Sequence, residues 1–137
     1  MKRLAVALLL LSAACATTPT GPASVPQGAL DLGGDWRRAS PSSVLHQFEN
    51  EVSRRYRPGL TLAAASSDLG RQSFRCAPNA DTRGAAPDQI CRKTVTVENC
   101  THTWQVHLWA QSGGALERTR ALYDRRCGGE GLLGGPS

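Results

Sequence analysis

Five cysteines and three histidines are the side chains of this 137-residue chain best suited to chemistry, and their spacing decides which kind. Cys76, Cys91, Cys100 and Cys127 lie in the C-terminal half, while Cys15 stands alone near the start. A four-thiolate zinc site is built from close C-x2-C pairs, whereas these gaps are long and unequal. An even cysteine set in a small exported chain predicts two disulfides instead. His102 and His107 are an odd number of residues apart in one alternating stretch, which puts them on opposite faces and bars a shared metal. His46 falls beside the apolar stripe of a helix. "ASSDLG" and "SPSS" lack the G-x-S-x-G setting of a nucleophile, and the acids are scattered without a catalytic pair. Glycine runs at 33–34 and 128–135 lack the strand and helix that flank a phosphate loop. The expectation is a protein with no catalytic residues, metal or cofactor.

Export is written at the N-terminus. Lys2 and Arg3 precede an apolar run from Leu4 to Leu11, followed by "LSAACATT". Eight apolar residues are too few for a spanning helix, so 1–16 is expected to be a signal peptide. Ala14-Cys15-Ala16 fits ordinary signal peptidase, with cleavage before Thr17. Leu11-Ser12-Ala13-Ala14-Cys15 also has the layout of a bacterial lipobox, with Cys15 as the lipidated residue. Residues 17–41 carry Pro19, Pro22, Pro26 and Pro41 among small residues, the composition of a flexible tether. A lipid anchor followed by a tether predicts a cell-envelope protein on the periplasmic side, and Ala16 after the cysteine, in place of an inner-membrane retention acid, points to the outer membrane. Without Lys2 and Arg3, fourteen basic residues face eleven acidic ones, too small a surplus to indicate a nucleic-acid partner.

The elements that hold the cysteines follow from periodicity. In "SPSSVLHQFENEVSRRYRPG", Val44, Phe48, Val52 and Tyr56 recur every four residues, predicting a helix capped by Ser40 or Ser42. Arg54, Arg55 and Arg57 suit its C-terminal end, and Pro58-Gly59 stops it. Thr61 caps a second, shorter helix, which Gly70 is expected to end in the left-handed conformation. Ser73–Cys76 is extended, and residues 77–89 form a turn-rich loop. "ICRKTVTVE" and "THTWQVHLWAQ" alternate as strands, "SGGA" marks a hairpin, and "LERTRALYDRR" returns as the last strand, although its composition fits a helix equally.

With Gly113-Gly114 as a two-residue turn, paired residues carry numbers summing to 227. Cys100 and Cys127 meet that sum, so the register joins them and leaves Cys76 for Cys91. Loop-closure entropy gives each bond about 3 to 4 kcal/mol. The expected fold is α+β: two N-terminal helices on a three- to four-stranded antiparallel sheet over residues 42–127, with a frayed tail at 128–137.

The stretch G-L-T-x7-L-G from Gly59 to Gly70 resembles the helix-opening pattern of the SmpA/OmlA outer-membrane lipoproteins, and "TWQVHLWAQSGGAL" is similar to their W-x-V-x-L…G strand and turn. The resemblance covers roughly residues 43–127. It departs at Arg71-Gln72, where the group carries a proline, and in having two disulfides. It implies two helices against an antiparallel sheet, as in proteins similar to β-lactamase inhibitor protein. A shared fold of this kind assigns no partner.

The same register sets the candidate binding residues. Trp104, Val106 and Leu108 share a face with Tyr123, Ala121 and Thr119, which is expected to cover the helices. The opposite face pairs Trp109 with Arg118 and His107 with Arg120, an aromatic beside two guanidiniums of the kind enriched at interfaces. The functional expectation is a lipid-anchored envelope binding or scaffold module with a protein partner. The alternatives are a small periplasmic hydrolase and a soluble secreted protein.

Overall fold

A computed structural model describes residues 23–81 and 83–128. The expected signal peptide over 1–16 with Cys15, the first part of the expected tether (17–22) and the expected tail beyond Gly128 lie outside the described residues.

Helix α1 spans Pro41–Arg55, begun by Pro41 at its first position and by Ser40, whose side chain accepts from the Ser43 N–H. Its four-residue stripe is the buried one: Val44, Phe48, Val52 and Tyr56 are all 1% exposed or less. Helix α2, Leu62–Arg71, opens on Thr61, whose hydroxyl accepts from the Ala64 N–H at 3.0 Å. It runs one residue past Gly70. The left-handed residue is Ser73, at φ 68°, and the Phe74 N–H closes the end on the Leu69 carbonyl at 2.9 Å. That back-bond, rather than a glycine, satisfies the final turn.

Four strands follow, β1 (Arg75–Pro78), β2 (Gln89–Val97), β3 (Cys100–Ala110) and β4 (Leu116–Cys127), forming an antiparallel meander in the order β1-β2-β3-β4. The fold is α+β. Both disulfides join directly opposed residues, Cys76 with Cys91 across β1 and β2, and Cys100 with Cys127 across β3 and β4. The last element is a strand, as the cysteine register requires.

The 227 register holds from Cys100↔Cys127 to Trp109↔Arg118, but the turn differs from the expected one. Ala110 pairs with Leu116, so Glu117 is an extra residue bulged out of β4. Gln111 donates its N–H to Ala115 and accepts from Gly114, which makes Ser112-Gly113 the centre of the turn. Gly114 alone, at φ 82°, takes the left-handed position that closes such a bulged hairpin. A one-residue shift in the turn and a one-residue bulge cancel, which is why the cysteines still meet.

The helices cover the face carrying Trp104, Val106 and Leu108, each fully buried beside Phe48, Leu69 and Ala121. The tether expected over 17–41 needs a correction. Residues 23–40 lie against the domain, with Leu30 in the core and Val25, Leu32 and Trp36 packed on it. Backbone groups anchor this segment: the Leu32 carbonyl accepts from Trp104 Nε1 at 2.9 Å, and Leu30 N–H donates to Gln72 Oε1 at 3.0 Å. Gly33, at φ 109°, allows the closest approach, since a Cβ there would lie 2.6 Å from the Val44 carbonyl oxygen. Four apolar residues without helix or strand periodicity therefore seat a segment whose composition alone reads as tether.

Candidate functional site

Three polar regions stand out among the described residues, and they differ in how fully their charges are matched.

The first is buried between the helices. Arg55, expected to serve the open end of α1, is only 2% exposed and turns inward. Its Nε donates to Asp68 Oδ2 at 2.8 Å, and Nη2 donates to Asp68 Oδ1 at 3.2 Å and to the Gly28 carbonyl at 2.8 Å. The Tyr56 hydroxyl donates to Asp68 Oδ2 at 2.7 Å, and Arg71 Nη2 reaches Oδ1 at 3.1 Å. Burial alone raises a carboxyl's pKa, but the hydrogen bonds from Arg55 and Tyr56 and the charge of Arg71 outweigh it and hold Asp68 below its ordinary value. Burial first, and then the bond to Asp68, drive the Tyr56 hydroxyl far above its ordinary range, so it stays a donor. This cluster ties α1, α2 and the N-terminal segment together. Every charge in it has a partner.

The second region is the outer face of the sheet, where register places the predicted residues together. The Arg118 guanidinium lies 3.8 Å from the centroid of the Trp109 ring, and Trp109 Nε1 donates to the Ala85 carbonyl at 2.8 Å. His107, opposite Arg120, tilts toward Trp109 at 6.1 Å and contacts Gln105 at 3.2 Å. Burial, then the charges of Arg120 and Arg92, lower the His107 pKa. Pairing extends this face through Arg92 to Arg75 and along β4 to Arg126. Asp124 holds Arg126 at 3.0 Å, whereas Arg75, Arg92, Arg118 and Arg120 are exposed and meet no carboxylate among the described residues.

The third region was not anticipated. At the far end of the sheet, beside the Cys100–Cys127 bond, a cleft of about 280 Å³ is lined by Arg37, Arg38, Val97, Glu98, Cys100, His102 and Arg125. His102 shares the inward face with Trp104 and is 2% exposed. Its Nδ1 lies 2.7 Å from the Tyr123 hydroxyl, and its ring meets the edge of Trp36 at 4.8 Å. Arg37 lies over the Trp36 ring at 4.3 Å, and Arg125 Nη1 donates to the Ala39 carbonyl at 3.2 Å. Burial, then the charges of Arg125 and Arg37, lower the His102 pKa.

Comparison with known proteins adds nothing to this geometry. No family model, curated protein or solved structure matches the chain. Identity therefore rests on the residues themselves.

His46 is exposed on α1, near Asn50 at 3.4 Å and remote from both other histidines in role. Among the described residues no three His, Cys, Asp or Glu side chains group as a metal site, and no helix is long and apolar enough to cross a membrane. The sequence did hold signals for the third region. His102 has the parity of Trp104, which makes it an inward histidine, and "WRR" at 36–38 sets two cations beside an aromatic. Nothing in their spacing joins residue 37 to residue 125.

Proposed function

We propose that this protein is an exported, lipid-anchored binding module of the bacterial cell envelope, and that its open sheet face docks an acidic protein partner. The two disulfides fit an oxidising, extracytoplasmic compartment. The lipobox ending at Cys15, with the prolines at 19 and 22 behind it, supports attachment to a membrane and a short reach from it. The resemblance to the SmpA/OmlA lipoproteins belongs to the same reading, as does outer-membrane placement.

One observation carries the docking surface. Four arginines without carboxylate partners share with Trp109 a face that neither helix covers, and one of them, Arg118, lies over its ring. Like charges gathered on one exposed surface repel one another, and an acidic partner relieves that repulsion while burying the aromatic. Trp and Arg are the residues through which interfaces concentrate their binding energy. No catalytic role is assigned to any residue.

The experiment is capture from the native envelope with the tagged protein and with a Trp109→Ala, Arg118→Ala, Arg120→Ala variant, at low and raised salt. Intact disulfides and an unchanged circular dichroism spectrum establish that the variant folds. Acidic partners retained at low salt, and lost both on raising it and in the variant, support the assignment. The same partners in the same amounts from the variant refute it. In parallel, Cys15→Ser should leave the membrane fraction or accumulate as precursor. Wild-type protein that is soluble and begins at Thr17 would overturn the lipid anchor while leaving the sheet face untouched.

A further inference from the structure

The cleft at the end of the sheet is separate from the docking face, because His102 and Trp104 point inward while Trp109 and His107 point outward. Its walls come from three distant parts of the chain. The segment before α1 supplies Arg37 and Arg38, the β2–β3 turn supplies Glu98, and β4 supplies Arg125, with His102 at the floor.

Its charge is unbalanced. Arg38 stands 3.9 Å from Asp35 at the rim, but Arg37 and Arg125 have no carboxylate within ion-pair distance among the described residues. Glu98 is the one acid in the lining. Both cations are held in place, Arg37 by the Trp36 ring and Arg125 by the Ala39 carbonyl. Positions held before binding reduce the entropy a ligand must overcome. His102 is a second sign of a ligand. The side chain is 2% exposed and lines the cleft, Tyr123 engages Nδ1, and no protein group among the described residues engages Nε2.

We infer that this cleft binds a small oxyanion of the phosphate class, gripped between the Arg37 and Arg125 guanidiniums with His102 Nε2 as a third contact. Guanidiniums match tetrahedral oxyanions through paired N–H donors, and ionised partners make these bonds about twice as strong as neutral ones. The volume of about 280 Å³ leaves room for a substituent on the anion. Glu98 faces the same space and opposes binding, which gives the site a built-in control.

The test titrates the full, oxidised protein with inorganic phosphate at constant ionic strength, following the Trp36 indole and His102 ring signals by nuclear magnetic resonance. Saturable shifts at these two residues, absent with chloride, are expected. Arg37→Gln changes an exposed side chain and should weaken binding roughly ten-fold or more, as loss of a charge-assisted bond does. Arg125→Gln should act similarly, and Glu98→Gln should tighten binding. Trp104 signals report whether each variant keeps its core. Shifts that never saturate, or an Arg37→Gln variant that binds like the wild type, would overturn the inference. Vesicles containing phosphatidic acid provide a second arm. If they compete with phosphate, the group arrives on a lipid headgroup, and if they do not, it arrives as a free ion. A failed envelope capture would leave this result standing, since the capture variant alters only the outer face.

Discussion

Two polar nodes, each built from arginine and tyrosine, sit on the same side of this sheet and have opposite characters. Around Asp68, the guanidinium of Arg55, the hydroxyl of Tyr56 and the Arg71 side chain all converge on one carboxylate. Around His102, neither Arg37 nor Arg125 has a carboxylate within ion-pair distance among the described residues, and the cleft that opens between them has Glu98 as the one acid in its lining. The first node is closed because each of its charges has a partner within it. The second stays open because cancellation has to come from outside. The composition is alike in both, so function is read from the missing partner rather than from residue type. The segment 23–40 touches both, through the Gly28 carbonyl at Arg55 and through Trp36 at His102.

The largest effect should come from opening the closed node. Asp68→Asn leaves Arg55 buried without its counter-charge and should cost about 3–5 kcal/mol, measured by the denaturation midpoint. An Arg55→Met, Asp68→Leu double variant should be less destabilised than either single change, because no charge is left stranded. If the single change costs no more than an exposed substitution, the node is not the structural tie described here.

Next in size is Gly33→Ala. Its methyl group would meet Val44 within a packed region, at a backbone angle that alanine resists. A loss of about 1–3 kcal/mol is expected, with perturbed signals from both nodes. Perturbation confined to one node would separate regions that the segment is held to couple. Tyr123→Phe tests the open node alone. It removes the 2.7 Å contact with His102 and should cost about 1 kcal/mol, a quarter or so of the Asp68→Asn effect.

The two nodes should also separate by pH. His102 has a folded pKa below 6.5, so the unfolded chain takes up its proton first as pH falls. Its contribution is full above pH 6.5 and is lost as pH drops toward the lowered folded value. Asp68 is depressed below 3.8, so its contribution is full above that pH and is lost in more acid solution. A His102→Gln variant should therefore flatten the decline below pH 6.5, with His107→Gln as the control for the other lowered histidine. Asp68→Asn should instead remove the acid limb. The smallest effect belongs to the exposed Arg118→Ala, which loses the contact over Trp109 and should cost about 0.5–1 kcal/mol or less in stability.

Much of this molecule follows from local rules. The four-residue stripe from Val44 to Tyr56 specified α1, Thr61 specified where α2 begins, and of the two serines that could cap α1 the structure uses Ser40. Alternation sorted Trp104, Val106 and Leu108 from Gln105, His107 and Trp109, and the equal arms of the hairpin paired Cys100 with Cys127. These features depend on near neighbours or on a period of two, so a linear string contains them. The turn differs from the two-residue expectation because a bulge adds one residue to one strand, and Glu117 carries no mark that announces it. The segment before α1 packs where composition reads as tether because Leu30, Leu32 and Trp36 follow no regular spacing, and their burial depends on the Val44 and Trp104 surfaces that α1 and β3 bring against them. Only packing could turn Arg55 inward to Asp68, or bring Arg37 to Arg125 across the end of the sheet. Those contacts join elements whose relative placement is set by shape and volume, quantities that residue spacing does not encode.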